Sequence, residues 1–270
     1  MATTLRREDN RFFLLTNEAA IAAMNLSTGM NFLNKADFVT KAYFLNSYFL
    51  LSIGFERLLK LILVYEYHLT NNKLPENRYL KSYGHDLRKL FKKAKLIADQ
   101  LNVADYYGDV FEDEICQDII HFLSDFALRT RYYNLDNLNS EDISEEPITT
   151  WNEKINSRIN ERHYKNNEDR VRKVKEISKK LEDMFHVSIL ESSEKHVASI
   201  EDFYTRGLSI NTERKYSVFY TYKIARFLSR LIYKLDAGNP LPFVSEYFAI
   251  FRNTDDKYVL SRKTWNLYNR

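Results

Sequence analysis

Apolar residues return every three or four positions along most of this chain, the period of one helix face. The longest such stripe is Tyr48, Leu51, Phe55, Leu58, Leu59, Ile62 and Leu63. It predicts a helix that begins behind Asp37, an N-cap residue type, and runs to about residue 70. A shorter helix over about 18–33 precedes it. NNKLPENRYLKSYG reads as a connector punctuated by Pro75 and Gly84. Leu87, Leu90, Phe91, Ala94, Ile97, Ala98 and Leu101 then mark a helix that opens at His85 and Asp86, where the Asp86 carboxylate suits the positive helix end. Ile115, Ile119, Phe122, Leu123 and Phe126 mark another over roughly 107–128.

The stretch 136–146 contains Asp136, Glu141, Asp142, Glu145 and Glu146 and no basic residue, so an exposed loop is expected. Pro147 fits the first turn of the next helix, whose stripe is Trp151, Ile155 and Ile159. Asn167 is a candidate cap for a helix reaching about residue 185, and another helix over 214–235 ends at DAGNPLP. An aromatic C-terminal segment closes the chain.

Composition agrees with an all-α fold: 270 residues hold only 6 Gly and 4 Pro. The most apolar window, 42–67, contains Glu56, Arg57 and Lys60, which disfavour a bilayer span. Asn17 and Glu18 interrupt the N-terminal apolar run too early for a signal-peptide core. The single cysteine, Cys116, excludes an internal disulfide and fits a reducing compartment. A cytoplasmic protein without a membrane partner is therefore expected. At a net charge of +3, a nucleic-acid role needs a local basic patch. The segment 154–180, where Lys and Arg outnumber Asp and Glu, is the candidate.

No Gly-rich phosphate loop, nucleophile elbow or zinc-ligand spacing occurs, and no cofactor is implied. Glu114, Asp118, His121 and Asp125 share a helix face, and Asp118-x-x-His121 has the spacing of half a helical di-metal site. No second Asp/Glu-x-x-His element matches it, so the face is read as solvated and no metal is assigned.

Three short motifs occur in order: GFERLLKLIL, GHDLRKLF and RYYNLD. Together they resemble the HEPN family (higher eukaryotes and prokaryotes nucleotide-binding) over about residues 38–165. The matching positions are Glu56, Leu59 and Lys60, then His85, Asp86 and Leu87, then Arg131 and Tyr132. The resemblance implies an up-and-down helical bundle, often homodimeric, and the bundle domain is placed at 1–165. Residues 166–270 lie outside the resemblance and are read as a C-terminal helical region of unknown type packed on the first. It also implies action on RNA, commonly in bacterial toxin–antitoxin or phage-defence systems.

Active HEPN proteins share an Arg-x(4–6)-His motif, and RINERH supplies Arg158 and His163 at that spacing. Metal-independent RNA cleavage needs a group that moves the proton of the attacking 2′-hydroxyl and a cation that stabilises the phosphorane. Histidine and arginine suit those tasks. Arg131, Arg162 and Tyr164 are candidate RNA or phosphate contacts. Glu56, Lys60, His85, Asp86 and Tyr132 read as motif residues with structural work. Ile159 follows Arg158 where active members usually have a polar residue, and Arg131 has no histidine at the motif distance. The alternative is thus a catalytically inactive HEPN-like module that binds a protein partner, nucleic acid or nucleotide.

Overall fold

Two long helices, α1 (Ala2–Lys35) and α2 (Lys41–Asn71), pack together in the computed structural model, which describes residues 2–267 apart from 38, 140–144, 166–167, 183–188, 191–195 and 198. Gly29 of α1 faces Leu51 of α2, and Gly54 of α2 faces Leu26 of α1. A Cβ on either glycine would lie 2.8 Å from the facing leucine Cγ. The missing side chains let the two backbones approach. α1 extends well before residue 18, and the sequence missed this because residues 10–18 bury little: Phe12, Phe13 and Leu14 are exposed and Ala19 is buried. Asp37 sits just outside α2. Its carboxylate accepts from the Val39 and Thr40 N–H groups at 3.0 and 2.6 Å, and the helix starts at Lys41.

The connector holds a single helical turn, α3 (Asn77–Lys81), before α4 (Leu87–Gln100), which opens at Asp86 as expected. α5 (Glu114–Leu128) begins later than its predicted start near 107. A 3₁₀ turn at Ala104–Tyr106 precedes the intervening chain, which contains Gly108 with φ of 52°, and Asp113 caps the helix. A left-handed residue cannot continue an α-helix. α6 (Tyr133–Asn139) takes up the start of the stretch expected as a loop, whereas Glu141 and Asp142 lie outside the described residues.

Pro147 occupies the first turn of α7 (Pro147–Trp151), which passes through a π-helical turn, Asn152–Asn156, into α8 (Ser157–His163). Residues spaced by four drift around an α-helix by about 40° per step. The wider π turn absorbs that drift, so Trp151, Ile155 and Ile159 are all fully buried. Trp151 and Phe122 of α5 both pack on Tyr48 of α2, with ring centres 4.9 and 4.6 Å from it.

α9 (Glu168–Glu182) follows; its expected cap, Asn167, and its expected end near 185 lie outside the described residues. Ile189–Leu190 and His196–Val197 form a two-residue antiparallel pair. α10 (Ile200–Asp236) starts at Ser199, whose hydroxyl accepts from the Asp202 N–H. It exceeds the predicted 214–235 because residues 201–216 are exposed or half-buried and carry no full apolar stripe. α10 contacts α1, α2, α5, α8 and α9. α11 (Ala249–Arg252) and α12 (Asp256–Ser261) lead to buried Trp265, whose backbone N–H and carbonyl both bond to the Asn31 side chain, at 2.6 and 2.9 Å.

The fold is an all-α helical bundle. Among the described residues, no helix is long and apolar enough to cross a membrane.

Candidate nucleic-acid interface

The first two sequence motifs converge on one structural knot. Lys60 donates to Glu56 at 2.7 Å, and His85 Nδ1 lies 2.9 Å from the same carboxylate. Asp86 accepts from the backbone N–H of Arg88 and Lys89, at 3.1 and 3.3 Å, and from the Ser124 hydroxyl of α5 at 3.1 Å. Burial alone would raise the Asp86 carboxyl pKa, but the Lys89 amide, the Ser124 hydroxyl and Arg88 outweigh it and hold it below the usual range. Glu56, Lys60, His85 and Asp86 thus join α2, α4 and α5.

From the third motif, Arg131 lies over the Phe49 ring of α2, its guanidinium carbon 5.0 Å from the ring centre, while Tyr132 is mostly exposed. Tyr164 ends α8, and its N–H donates to the Asn160 carbonyl.

The two candidate catalytic residues face different helices. Five residues along an α-helix turn through about 140°, so Arg158 and His163 diverge. Arg158 Nε lies 2.8 Å from Asp118 of α5, and its Nη1 contacts Glu114. Burial raises the Asp118 carboxyl pKa despite this cation.

His163 turns instead to α10. Its ring stacks on Tyr216, and its Nε2 lies 2.7 Å from the Tyr220 hydroxyl. That hydroxyl also accepts from Arg162 at 3.1 Å. Burial first, and Arg162 second, lower the His163 pKa below 6.5. Arg162 also grips the Asp113 carboxylate at 2.9 and 3.0 Å. Beneath it, buried Lys223 donates to Asp109 at 2.7 Å and lies 3.5 Å from Asp113.

Asp113, Tyr216, Tyr220 and Lys223 were not among the residues marked by sequence. The only sequence trace of the three on α10 is helical spacing, by which positions 216, 220 and 223 share a face.

A cleft of about 690 Å³ opens beside Arg158. Phe122, Phe126 and Pro147 supply its apolar lining, and Arg88, Arg129, Lys154, Arg158 and His121 supply basic groups. Asp118, Asp125, Glu145 and Glu153 also line it. Arg88 pairs with Asp125 at 3.2 Å. Arg129 and Lys154 are exposed, and neither is within ion-pair distance of a carboxylate among the described residues. On α9, Lys173, Lys179 and Lys180 are likewise exposed. Of the acids considered as half a metal site, Glu114 and Asp118 engage Arg158 and Asp125 engages Arg88. No group of three metal-ligating side chains occurs among the described residues. Compared with protein-family models, with curated proteins and with solved structures, the chain matches none.

Proposed function

We propose that this chain is a HEPN-like RNA-binding protein whose α5–α8 cleft takes the phosphates of a single strand, in a bacterial toxin–antitoxin or phage-defence setting. The observation that carries this reading is the pair Arg129 and Lys154 open to solvent in the cleft, with Arg158 on its wall. Phosphates bind exposed cations of this kind. Arg158 reaches a phosphate by exchanging it for Glu114 and Asp118. Anisotropy titrations of labelled single-stranded RNA at several salt concentrations test the reading. The expected result is salt-sensitive binding that weakens in Lys154→Gln and Arg129→Gln. Binding insensitive to both substitutions contradicts it.

A second reading, a metal-independent endoribonuclease, is favoured by the lowered pKa of His163 and its contact with Tyr220. A neutral imidazole accepts a proton near pH 7. In this chemistry the 2′-hydroxyl attacks the adjacent phosphorus, giving a cyclic phosphate and a free 5′-hydroxyl. EDTA-resistant cleavage that disappears in both His163→Ala and Arg158→Ala supports it. Intact RNA after prolonged incubation with wild type leaves the binding function alone. Homodimerisation belongs to either reading and is measured by light scattering.

A further inference from the structure

The outward face of α1 differs in kind from the rest of the surface. Residues 12–34 contain one charged side chain, Glu18, in a chain in which 29% of residues are charged. Glu18 is taken by Arg57 of α2 at 2.6 Å. The inward face of α1, with Ala19, Ala22, Leu26 and Met30, is fully buried in the bundle. On the outward face Phe13 is 62%, Leu14 58%, Ile21 45% and Met24 49% exposed. A solvated helix face normally carries charges, whereas an uncharged face with Phe and Met is what the centre of a protein interface presents.

The spacing narrows the occupant. Asn10, Leu14, Asn17, Ile21, Met24 and Thr28 follow one another in alternating steps of four and three. A seven-residue repeat of this kind keeps one seam in register with a second helix running beside it. Lipid surfaces and RNA fit poorly, because both favour Lys and Arg beside the apolar stripe, and residues 12–34 have neither. An identical helix fits. Asn17 is exposed in the middle of the seam. Its amide is both donor and acceptor, so it can bond to the same residue of a second copy. An asparagine within an apolar seam favours two parallel strands in that register. Residues 10–28 cover about 28 Å of helix. Closing this face on its own copy removes on the order of 1,000 Å² from water, the low end of what specific interfaces bury.

We propose that α1 is a self-association surface. Two copies of this chain pair through parallel α1 helices, with Leu14, Ile21 and Met24 packed on their counterparts and Asn17 bonded to the Asn17 of the second copy. No α1 residue lines the α5–α8 cleft, so the pairing stands apart from the RNA-binding reading and either can fail alone.

Sedimentation equilibrium of the full chain from about 1 to 100 µM tests the pairing. The expected result is a dimer with a micromolar dissociation constant, weakened at least about thirtyfold in Ile21→Glu. Cross-linking supplies a second readout. Cys116 is buried, so Asn17→Cys carries the one exposed thiol. With copper phenanthroline as oxidant, Asn17→Cys should form a disulfide-linked dimer, and Leu96→Cys, at an exposed position of α4, should not. If Ile21→Glu does not fold, the cross-linking decides. Wild type that stays monomeric to about 100 µM overturns the proposal. A dimer that folded Ile21→Glu leaves intact, or equal cross-linking at positions 17 and 96, also overturns it. A monomer that co-sediments with phosphatidylcholine vesicles overturns it as well and gives the face to a lipid surface instead.

Discussion

His163 and Tyr216 lie face to face, with ring centres 3.6 Å apart and planes 4° apart. Together with Tyr220 they hold an imidazole whose pKa is depressed by burial and by Arg162. As pH falls, the unfolded chain takes up this proton before the folded one. The stabilisation tied to the neutral ring is therefore complete above 6.5, the ordinary histidine value, and is lost as pH falls from there through the folded pKa. Wild type should lose melting temperature between about pH 7.5 and 5 more steeply than His163→Gln. Equal slopes would show that His163 titrates as an ordinary surface histidine.

Arg158 is held by carboxylates that an RNA phosphate has to displace. Asp118→Asn removes one competitor and should tighten RNA binding by about 3–10-fold. Arg158→Gln should weaken binding and reduce the dependence of log affinity on log salt by about one unit. Unchanged affinity in Asp118→Asn would separate Arg158 from the phosphate path.

The α1–α2 crossing sets a clear stability contrast. Gly54→Ala places a Cβ 3.0 Å from the Leu26 backbone nitrogen as well as against its side chain. It should destabilise by about 1–3 kcal/mol in urea unfolding. Gly207→Ala has nothing within 4 Å and should be neutral or stabilising by up to about 1 kcal/mol, through helix propensity alone. Similar effects at the two sites would mean that the helices do not cross at Gly54.

Cys116 is fully buried on α5, and burial pushes its thiol well above the ordinary cysteine pKa. A thiol-specific reagent should leave it unmodified in native protein at pH 8 and label it fully in denaturant. Rapid native labelling would place this face of α5 at the surface.

The helices with full apolar stripes were legible in sequence. α2 and α4 begin and end within a few residues of their predicted bounds, because Asp86 caps α4 and Asp37 bonds the turn that leads into α2. The long helices α1 and α10 were read short, since a periodic stripe reports only the turns that bury a face, and Phe13 and Tyr204 bury little. Glu56, Lys60 and His85 were marked by motif, and their mutual bonding follows from local spacing plus one helix contact. The surroundings of His163 were not legible. Tyr216 and Tyr220 stand more than fifty residues downstream, and nothing local to α8 announces which helix it will meet. The divergence of Arg158 from His163 was hidden for a related reason: spacing fixes their angle on the helix but not the partners waiting at each angle.

The π turn at Asn152–Asn156 gives the helix through α7 and α8 two phases. Such turns amount to one inserted residue, equivalent to about 100° of rotation. Removing a single residue there would leave Trp151 in its seat while swinging the whole charged face of α8 around the bundle. Arg158 would leave Glu114 and Asp118, and His163 would leave its tyrosines. The chemistry of this surface therefore depends on frame: a one-residue length change, with every functional side chain retained, would dismantle it.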